Sequence, residues 1–319
     1  DAGLLAIALA EPAGAGLGLV ELAAVLTEQG RYVAPVPLWS SAVAALAVDR
    51  FGTGAQREAI IPGAASGDLM ISLGLEEFGA PDPLEPATKA VLAGDGWMLD
   101  GEKAAVPAAQ FADLVVVGAG TADGPRLFLL DPRGAGVRVE PVTTTSHEPA
   151  AHLYLSGAAA EPLGGAGAPA WTVARADLAL SAVLLGVAES AMRQAASYVS
   201  SREQFGRPLG TFQAVAHQLA DSYIDVAAMR VTLLQAASVL DAGTGAGTAV
   251  LVAKWWAADA GERVVHRVQH VHGGIGVDVD YPIHRYLLWG KQLAATLGGA
   301  SADLSRLGAL LDDPANYRR

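Results

Sequence analysis

From residue 170 to the end of the chain one pattern dominates. Long alanine- and leucine-rich stretches carry apolar residues on most helical turns and are broken by short polar links. The stretches 173–201, 211–240, 247–272 and 282–297 are too long for strands, and their 3.6-residue spacing predicts four long helices. Helices of that length joined by short links pack as an up-and-down bundle. Apolar side chains wrap right around parts of them, as at Trp255-Trp256 and Leu287-Leu288-Trp289. A helix that is apolar all round is buried, so the surplus predicts contacts between subunits.

The earlier residues follow two other patterns. Residues 1–66 read as a helical domain. One helix is predicted over 18–29 and stops at Gly30. A second over 42–49 is capped by Ser40 or Ser41 after the Pro35–Pro37 break. A third over 55–61 ends at Pro62-Gly63. Residues 67–165 change to short strands, predicted at 69–75, 89–93, 97–100, 113–119, 126–130, 137–142 and 152–156. Gly94-Asp95-Gly96 is the turn of a hairpin. Strands in that number and spacing form a small antiparallel barrel or sandwich. Residues 166–319 are the bundle. The fold class is therefore α+β: an N-terminal helical domain, a central antiparallel β-barrel and a C-terminal four-helix bundle.

Composition excludes several chemistries. The net charge is −12, and no Lys/Arg cluster is longer than two residues, which argues against a nucleic-acid surface. A small anion is still possible, because one arginine beside a helix N-terminus can hold a phosphate. With no cysteine in the chain, disulfides, thiolate catalysis and Cys-ligated metals are ruled out. No unbroken apolar run approaches the roughly 20 residues that span a bilayer. The longest candidate, 178–188, is closed by Asp177 and Glu189, and the expected location is cytoplasmic.

Two stretches carry candidate chemistry. The first is Ser201-Arg202-Glu203-Gln204-Phe205-Gly206-Arg207-Pro208-Leu209-Gly210-Thr211-Phe212-Gln213, at the corner between two predicted helices. Arg202 supplies a planar, permanently charged fork suited to a pyrophosphate. Phe205 can stack on a base, and Gln204 and Gln213 are uncommitted amides. An isolated R-x-x-F-G is more often a loop with a capping arginine. The second stretch is His270-Val271-His272-Gly273-Gly274-Ile275-Gly276, where glycines let a backbone approach a ligand closely. A helix precedes it rather than a strand, so it is not a βαβ dinucleotide fingerprint. His266 and His270 have zinc-ligand spacing, but no fourth ligand and no accompanying glutamate are evident, so no metal site is predicted.

Taken in order, R-x-x-F-G, Gln213, Leu219-Ala220-Asp221, Ala253-Lys254, H-G-G-I-G and the D-Y-P-I-x-R of Asp280–Arg285 resemble the C-terminal bundle of the acyl-CoA dehydrogenases. The resemblance covers about 120 residues strongly. Gly18-Leu19-x-Glu21, Gly30-Arg31 and Gly101-Glu102-Lys103 extend it weakly over the rest. It implies FAD and an acyl-CoA substrate, with a glutamate taking the α-proton while the flavin takes hydride from the β-carbon. It also implies that the FAD diphosphate lies across a subunit interface, touched here by Arg202, Gln204, Phe205, Gln213, Gly273 and Gly274. The family's glutamine three residues before the glycine pair is His270 in this chain, and Gln269 is one residue out of register.

The departures from the family pattern are as informative. The glutamate of the turn after the last long helix is replaced by Gly298, which cannot move a proton. The alternative base position on the first bundle helix is Ala176, with Asp177 about 100° around the helix as a remote substitute. Gly101-Glu102-Lys103 is followed by Ala104-Ala105-Val106-Pro107 instead of the aromatic and hydroxyl residues that contact the flavin ring. The resemblance therefore points to a non-catalytic subunit of a heteromeric, α2β2 enzyme of the kind actinobacteria use on steroid side-chain CoA thioesters. Such a chain completes the FAD site of a homologous catalytic partner, and electron-transfer flavoprotein is the usual acceptor. Two alternatives remain open. One is a homomeric dehydrogenase with a displaced base, at Asp177 or in Glu76-Glu77. The other is a flavin-free scaffold.

Overall fold

The computed structural model describes residues 3–80, 82–94, 96–243 and 247–312. The chain divides into two compact units, one of residues 1–22 and 35–179, the other of 23–34 and 180–319.

In the first unit, helices α2 (Leu38–Phe51) and α3 (Gly54–Ser66) precede seven strands. α2 starts directly after Pro37, two residues before the expected serine cap, and the Ser40 hydroxyl donates to the Pro37 carbonyl. α3 opens on a capping box, in which Thr53 and Gln56 satisfy each other's backbone amides. It runs through Pro62 to Ser66, past the predicted stop. The end is set instead by Gly67 at φ +86°, whose amide returns to the Gly63 carbonyl.

The strands are β1 (Ile71–Gly74), β2 (Lys89–Ala93), β3 (Gly96–Pro107), β4 (Leu114–Thr121), β5 (Gly124–Leu130), β6 (Val137–Thr143) and β7 (Pro149–Leu163). Five close a ring in the order β4-β2-β3-β7-β5 and back to β4, with β1 added on β4 and β6 on β7. Most neighbours are antiparallel, as expected for the barrel, but β1 pairs with β4 in parallel, and so does the single β2–β4 link at Lys89 and Gly120. Ala93 faces Gly96 in the β2–β3 hairpin, and Asp95 of the predicted turn lies outside the described residues. Leu99, Val106, Val115, Val117, Phe128, Leu130 and Leu153 fill the interior. β3 is three times its predicted length because Gly101, at φ +146°, carries the strand across a register shift. A Cβ there would lie 2.7 Å from the Thr88 Cα.

The second unit holds the end of α1 (Leu19–Arg31), most of α4 (Ala168–Ser201), and α5 (Gln213–Asp241), α6 (Gly247–His272), α7 (His284–Ala295) and α8 (Gly299–Asp312). α8 is absent from the sequence reading. The Gly298-Gly299 pair looks like an ending, whereas three consecutive positive φ values at Leu297, Gly298 and Gly299 turn the chain into a further helix. The buried Lys254 ammonium pins that turn, donating to the Thr296 carbonyl at 3.0 Å and pairing with Asp303 of α8. Trp289 is buried within the unit, and Trp255, Trp256, Leu287 and Leu288 are half-buried, so the apolar surplus predicted there is largely absorbed by the chain's own packing.

α1 and α4 cross closely. A Cβ on Gly186 would stand 1.9 Å from the Thr27 carbonyl oxygen, and one on Gly30 1.8 Å from that of Val183. Both obstacles are backbone and cannot rotate away. Gly186→Ala is therefore expected to cost about 3 kcal/mol, the upper end of ordinary overpacking, read from the shift in the urea midpoint.

Both α4 and α5 are long and apolar enough to cross a membrane by length and composition, which counting unbroken apolar runs misses. α4 is a buried core helix. α5 keeps exposed apolar residues at Tyr223, Ile224, Val231 and Leu234.

Candidate functional site

The 201–213 corner is a small β-hairpin. α4 ends at Ser201, β8 (Glu203–Gln204) pairs with β9 (Arg207–Pro208), and a 3-10 turn over Leu209–Thr211 leads into α5 at Gln213. Phe205 and Gly206 form the tip with φ of +53° and +77°. Two positive φ values in a two-residue loop are what the twist of a hairpin requires. Glycine adopts them freely, but phenylalanine does so at a steric cost. The Phe205 ring is nonetheless 93% exposed. Its nearest aromatic neighbour, Phe212, lies edge-on at 6.2 Å and carries the Arg207 guanidinium 4.1 Å above its ring.

Arg202 is held by its backbone. Its amide donates to the Tyr198 carbonyl and its carbonyl accepts from Leu209, both at 2.8 Å. Its side chain is exposed and makes no salt bridge among the described residues. Gln204 and Gln213 are exposed as well.

The second stretch meets the first. The Tyr198 ring, one turn before Arg202, stacks on His272 at 4.5 Å, and Tyr281 tilts against His272 at 5.6 Å. The His270 Nδ1 lies 2.9 Å from Oε1 of Gln218, which binds the end of α6 to the first turns of α5. Burial draws the His272 imidazole below its ordinary pKa, only partly offset by its Nδ1 contact with the Val268 carbonyl. It is therefore a neutral packing element at neutral pH. Sequence reasoning missed this Tyr198–His272–Tyr281 cluster, although the D-Y-P motif and the two histidines were its signals.

The register question at the glycine pair has a structural answer. His270 is exposed, whereas the Gln269 amide is buried beneath the 3-10 turn Gly273–Val277 and has no hydrogen-bond partner among the described residues. A Cβ on Gly276 would approach Gln269 Nε2 to 2.9 Å. Gly273 adopts φ +62°, and a Cβ on Gly273 or Gly274 would meet nothing within 4 Å. No neighbouring atom among the described residues requires Gly274 to be a glycine.

The places where a base is sought look different. Gly298 sits at φ +113° in the turn pinned by Lys254. Asp177 is on α4 and 1% exposed, and Ala176 is fully buried. Glu77 is committed elsewhere. It forms a buried ion pair with Lys103 and accepts from the backbone amides of Ala87 at 2.5 Å and Thr88 at 3.2 Å. Burial by itself would raise its carboxyl, but the Lys103 charge and these donors outweigh it and hold the pKa below the ordinary value. Beyond Lys103, the Ala105 amide donates to His152 Nδ1 at 3.1 Å, and Pro107 has no amide hydrogen to offer. Phe78 stands edge-on to His152 at 4.7 Å.

Among the described residues no three histidine or acidic side chains are placed to hold a metal ion. His266 lies 3.7 Å from Glu262, and His270 is engaged with Gln218.

A helical domain, a closed β-barrel and a long-helix bundle with this glycine turn and hairpin define one class of oxidoreductase. The acyl-CoA dehydrogenase N-terminal domain matches residues 1–68 and the acyl-CoA dehydrogenase C-terminal domain matches 164–304. The chain belongs to the acyl-CoA dehydrogenase family. It is 39% identical to acyl-CoA dehydrogenase FadE27 of Mycobacterium tuberculosis, over 99% of this chain and 87% of that one. Its fold matches the Tcur3481-Tcur3483 steroid ACAD G363A variant with TM-score 0.95 and 55% identity, covering 99% of this chain and 87% of that one. It matches the ChsE4-ChsE5 complex of M. tuberculosis with TM-score 0.93 and 40% identity, covering 98% and 86%. A glutaryl-CoA dehydrogenase of the same fold from Mycobacterium smegmatis, 22% identical, is solved in complex with FADH2.

Proposed function

We propose that this chain is the non-catalytic subunit of a heteromeric acyl-CoA dehydrogenase, lending its hairpin and glycine turn to an FAD whose flavin ring lies in a homologous catalytic partner. One observation carries the reading. Arg202, Gln204, Phe205, Gln213, His270, Gly273 and Gly274 all present exposed groups, while the family's base position holds Gly298. The donor set fits a diphosphate and its adenosine: the Arg202 guanidinium, which makes no salt bridge among the described residues, with amides, an imidazole and an exposed ring. The residues after Lys103 do not fit a flavin ring, because the Ala105 amide is spent on His152 and Pro107 has neither amide hydrogen nor hydroxyl.

In this reading FAD supplies hydride acceptance, and the α-proton goes to a glutamate of the partner. This chain's residues bind and orient the distant half of the cofactor and take no proton. The Glu77 carboxylate is neutralised by Lys103, which disfavours a displaced base there. The steroid ACAD relative points to an acyl-CoA thioester of a steroid side chain as substrate, with electron-transfer flavoprotein as acceptor.

The test is purification of the chain alone and with its partner. Alone, the chain is expected to be colourless and inactive on acyl-CoA; the complex is expected to be yellow and active. Stoichiometric FAD and acyl-CoA oxidation by the chain alone would sink the proposal. A colourless native complex would favour the scaffold reading. Within the complex, Arg202→Ala removes a charge-assisted hydrogen bond of about 1.5–3 kcal/mol. FAD should dissociate roughly 10–100-fold more readily, as followed by flavin fluorescence on dilution.

A further inference from the structure

The two halves of the proposed cofactor site come from different helices, and one ring stack ties them together. Arg202 follows the end of α4, and its amide donates to the Tyr198 carbonyl at 2.8 Å, which puts Tyr198 one turn before it. His272 is the last residue of α6 and stands directly before Gly273. The Tyr198 and His272 rings lie nearly parallel, 19° apart with centroids at 4.5 Å. Stacking at that separation is favourable beyond the apolar area it hides.

The glycine turn leaves this stack and comes back to it. Residues 273–280 are exposed apart from Gly276. Tyr281 then tilts against His272 at 5.6 Å and against Tyr198 at 6.4 Å. Both ends of the turn therefore meet on one ring of α4. The His272 ring is locked within the stack, because its Nδ1 lies 2.7 Å from the Val268 carbonyl, one turn back on α6. A carbonyl only accepts, so the proton is on Nδ1. Nε2 is left buried and without a hydrogen-bond partner among the described residues. A phenylalanine would stack without that unmet acceptor, but it would have no anchor on the helix.

Other ties between these segments lie further off or on other helices. α4 and α6 approach closely at Leu184 and Gly261, about 21 Å back along α4 from Tyr198. The His270–Gln218 contact joins α6 to α5 rather than to α4. The hairpin is short, with two residues in each of β8 and β9, so its place relative to the turn depends on where the end of α4 is held.

We propose that Tyr198 and His272 are positioning residues, whose stack sets the distance between the Arg202 hairpin and the Gly273-Gly274 turn so that both reach one FAD. Groups already fixed at the right spacing lose little freedom on binding, and affinity rises accordingly. The cofactor part rests on the function proposed above; the spacing part does not.

The test uses the full chain purified with its partner, and the absence of cysteine makes labelling specific. Nitroxides on Glu203→Cys and Val279→Cys, both at exposed positions, report the distance from hairpin to turn by electron paramagnetic resonance, with each single label as background. The parent should give one narrow distribution. Tyr198→Leu and His272→Leu should broaden it, and Tyr198→Phe should leave it narrow. In the unlabelled complex, FAD should leave the two Leu variants about 2–10-fold faster, the factor an aromatic pair carries, and should leave Tyr198→Phe at the parent rate, as followed by flavin fluorescence on dilution. His272→Phe keeps a packed ring without the Val268 anchor. It should fall between, and it tests the same point should the Leu variants fail to fold. A broad parent distribution, or one unchanged in the variants, would overturn the spacing role. A broadened distribution with unchanged FAD release, or equal release from Tyr198→Phe and Tyr198→Leu, would overturn the positioning role. A parent complex without FAD would instead refute the proposed function, and the spin-label distances would still decide the spacing.

Discussion

Glu77→Ala is expected to destabilise the first unit by about 3–5 kcal/mol, the range for breaking a buried ion pair by removing one partner. The Lys103 side chain is fully buried, and Glu77 is its only ion-pair partner among the described residues. Burial pulls the Lys103 ammonium below its ordinary pKa, and Glu77 partly restores it. Without Glu77 the desolvation cost is unopposed, and the Ala87 and Thr88 amides lose their acceptor as well. Lys103→Met should cost a similar amount, because it leaves a buried carboxylate. The double variant Glu77→Leu/Lys103→Met should recover much of the loss, since a matched apolar pair replaces buried ions at little net cost. The check is a double-mutant cycle by urea unfolding. Single variants within about 1 kcal/mol of the parent would show that the pair is not what holds the Leu75–Thr88 segment against β3.

Glu148 should make stability fall with rising pH. It sits between β6 and β7, where burial pushes its carboxyl up to about 7, opposed only by a hydrogen bond with Ser146. No salt bridge reaches it among the described residues. Its folded pKa lies above its unfolded one. The stabilising contribution of the neutral acid is therefore fully present below about pH 4.5 and is lost as pH rises through about 7. At about 1.4 kcal/mol per pH unit, the swing is about 3 kcal/mol. Glu148→Gln is neutral at every pH. It should match the parent near pH 5 and exceed it by about 3 kcal/mol near pH 8, as read from urea midpoints at the two pH values. Equal midpoints at pH 8 would mean that the carboxylate is solvated or paired.

Neither group's structural role is legible in the sequence, for a physical reason. By sequence Glu77 is one member of a possible displaced base, because two adjacent acids on a loop are chemically open to that role. Only the fold brings Lys103 to it, from a strand twenty-six residues away. Glu148 carries no sequence signal, because its pKa depends on how much water the barrel leaves around it. Gln269 and His270 show the same limit on a smaller scale. Either could face a ligand by sequence, and the turn of α6 decides that one points inward and the other outward.

The sequence by itself determined the three-part order of elements, the long helices and the two motif stretches at 201–213 and 270–276. Those depend on local periodicity, glycine and proline punctuation and motif order, which are written along the chain. Tertiary structure alone decided the parallel strands that accompany the barrel, the extra helix beyond Gly298 and the burial of Trp289. It also decided which apolar face is left uncovered. Hydrophobicity states how much surface must be hidden, but only packing shows that the bundle buries Trp289 and leaves Tyr223, Ile224, Val231 and Leu234 of α5 exposed.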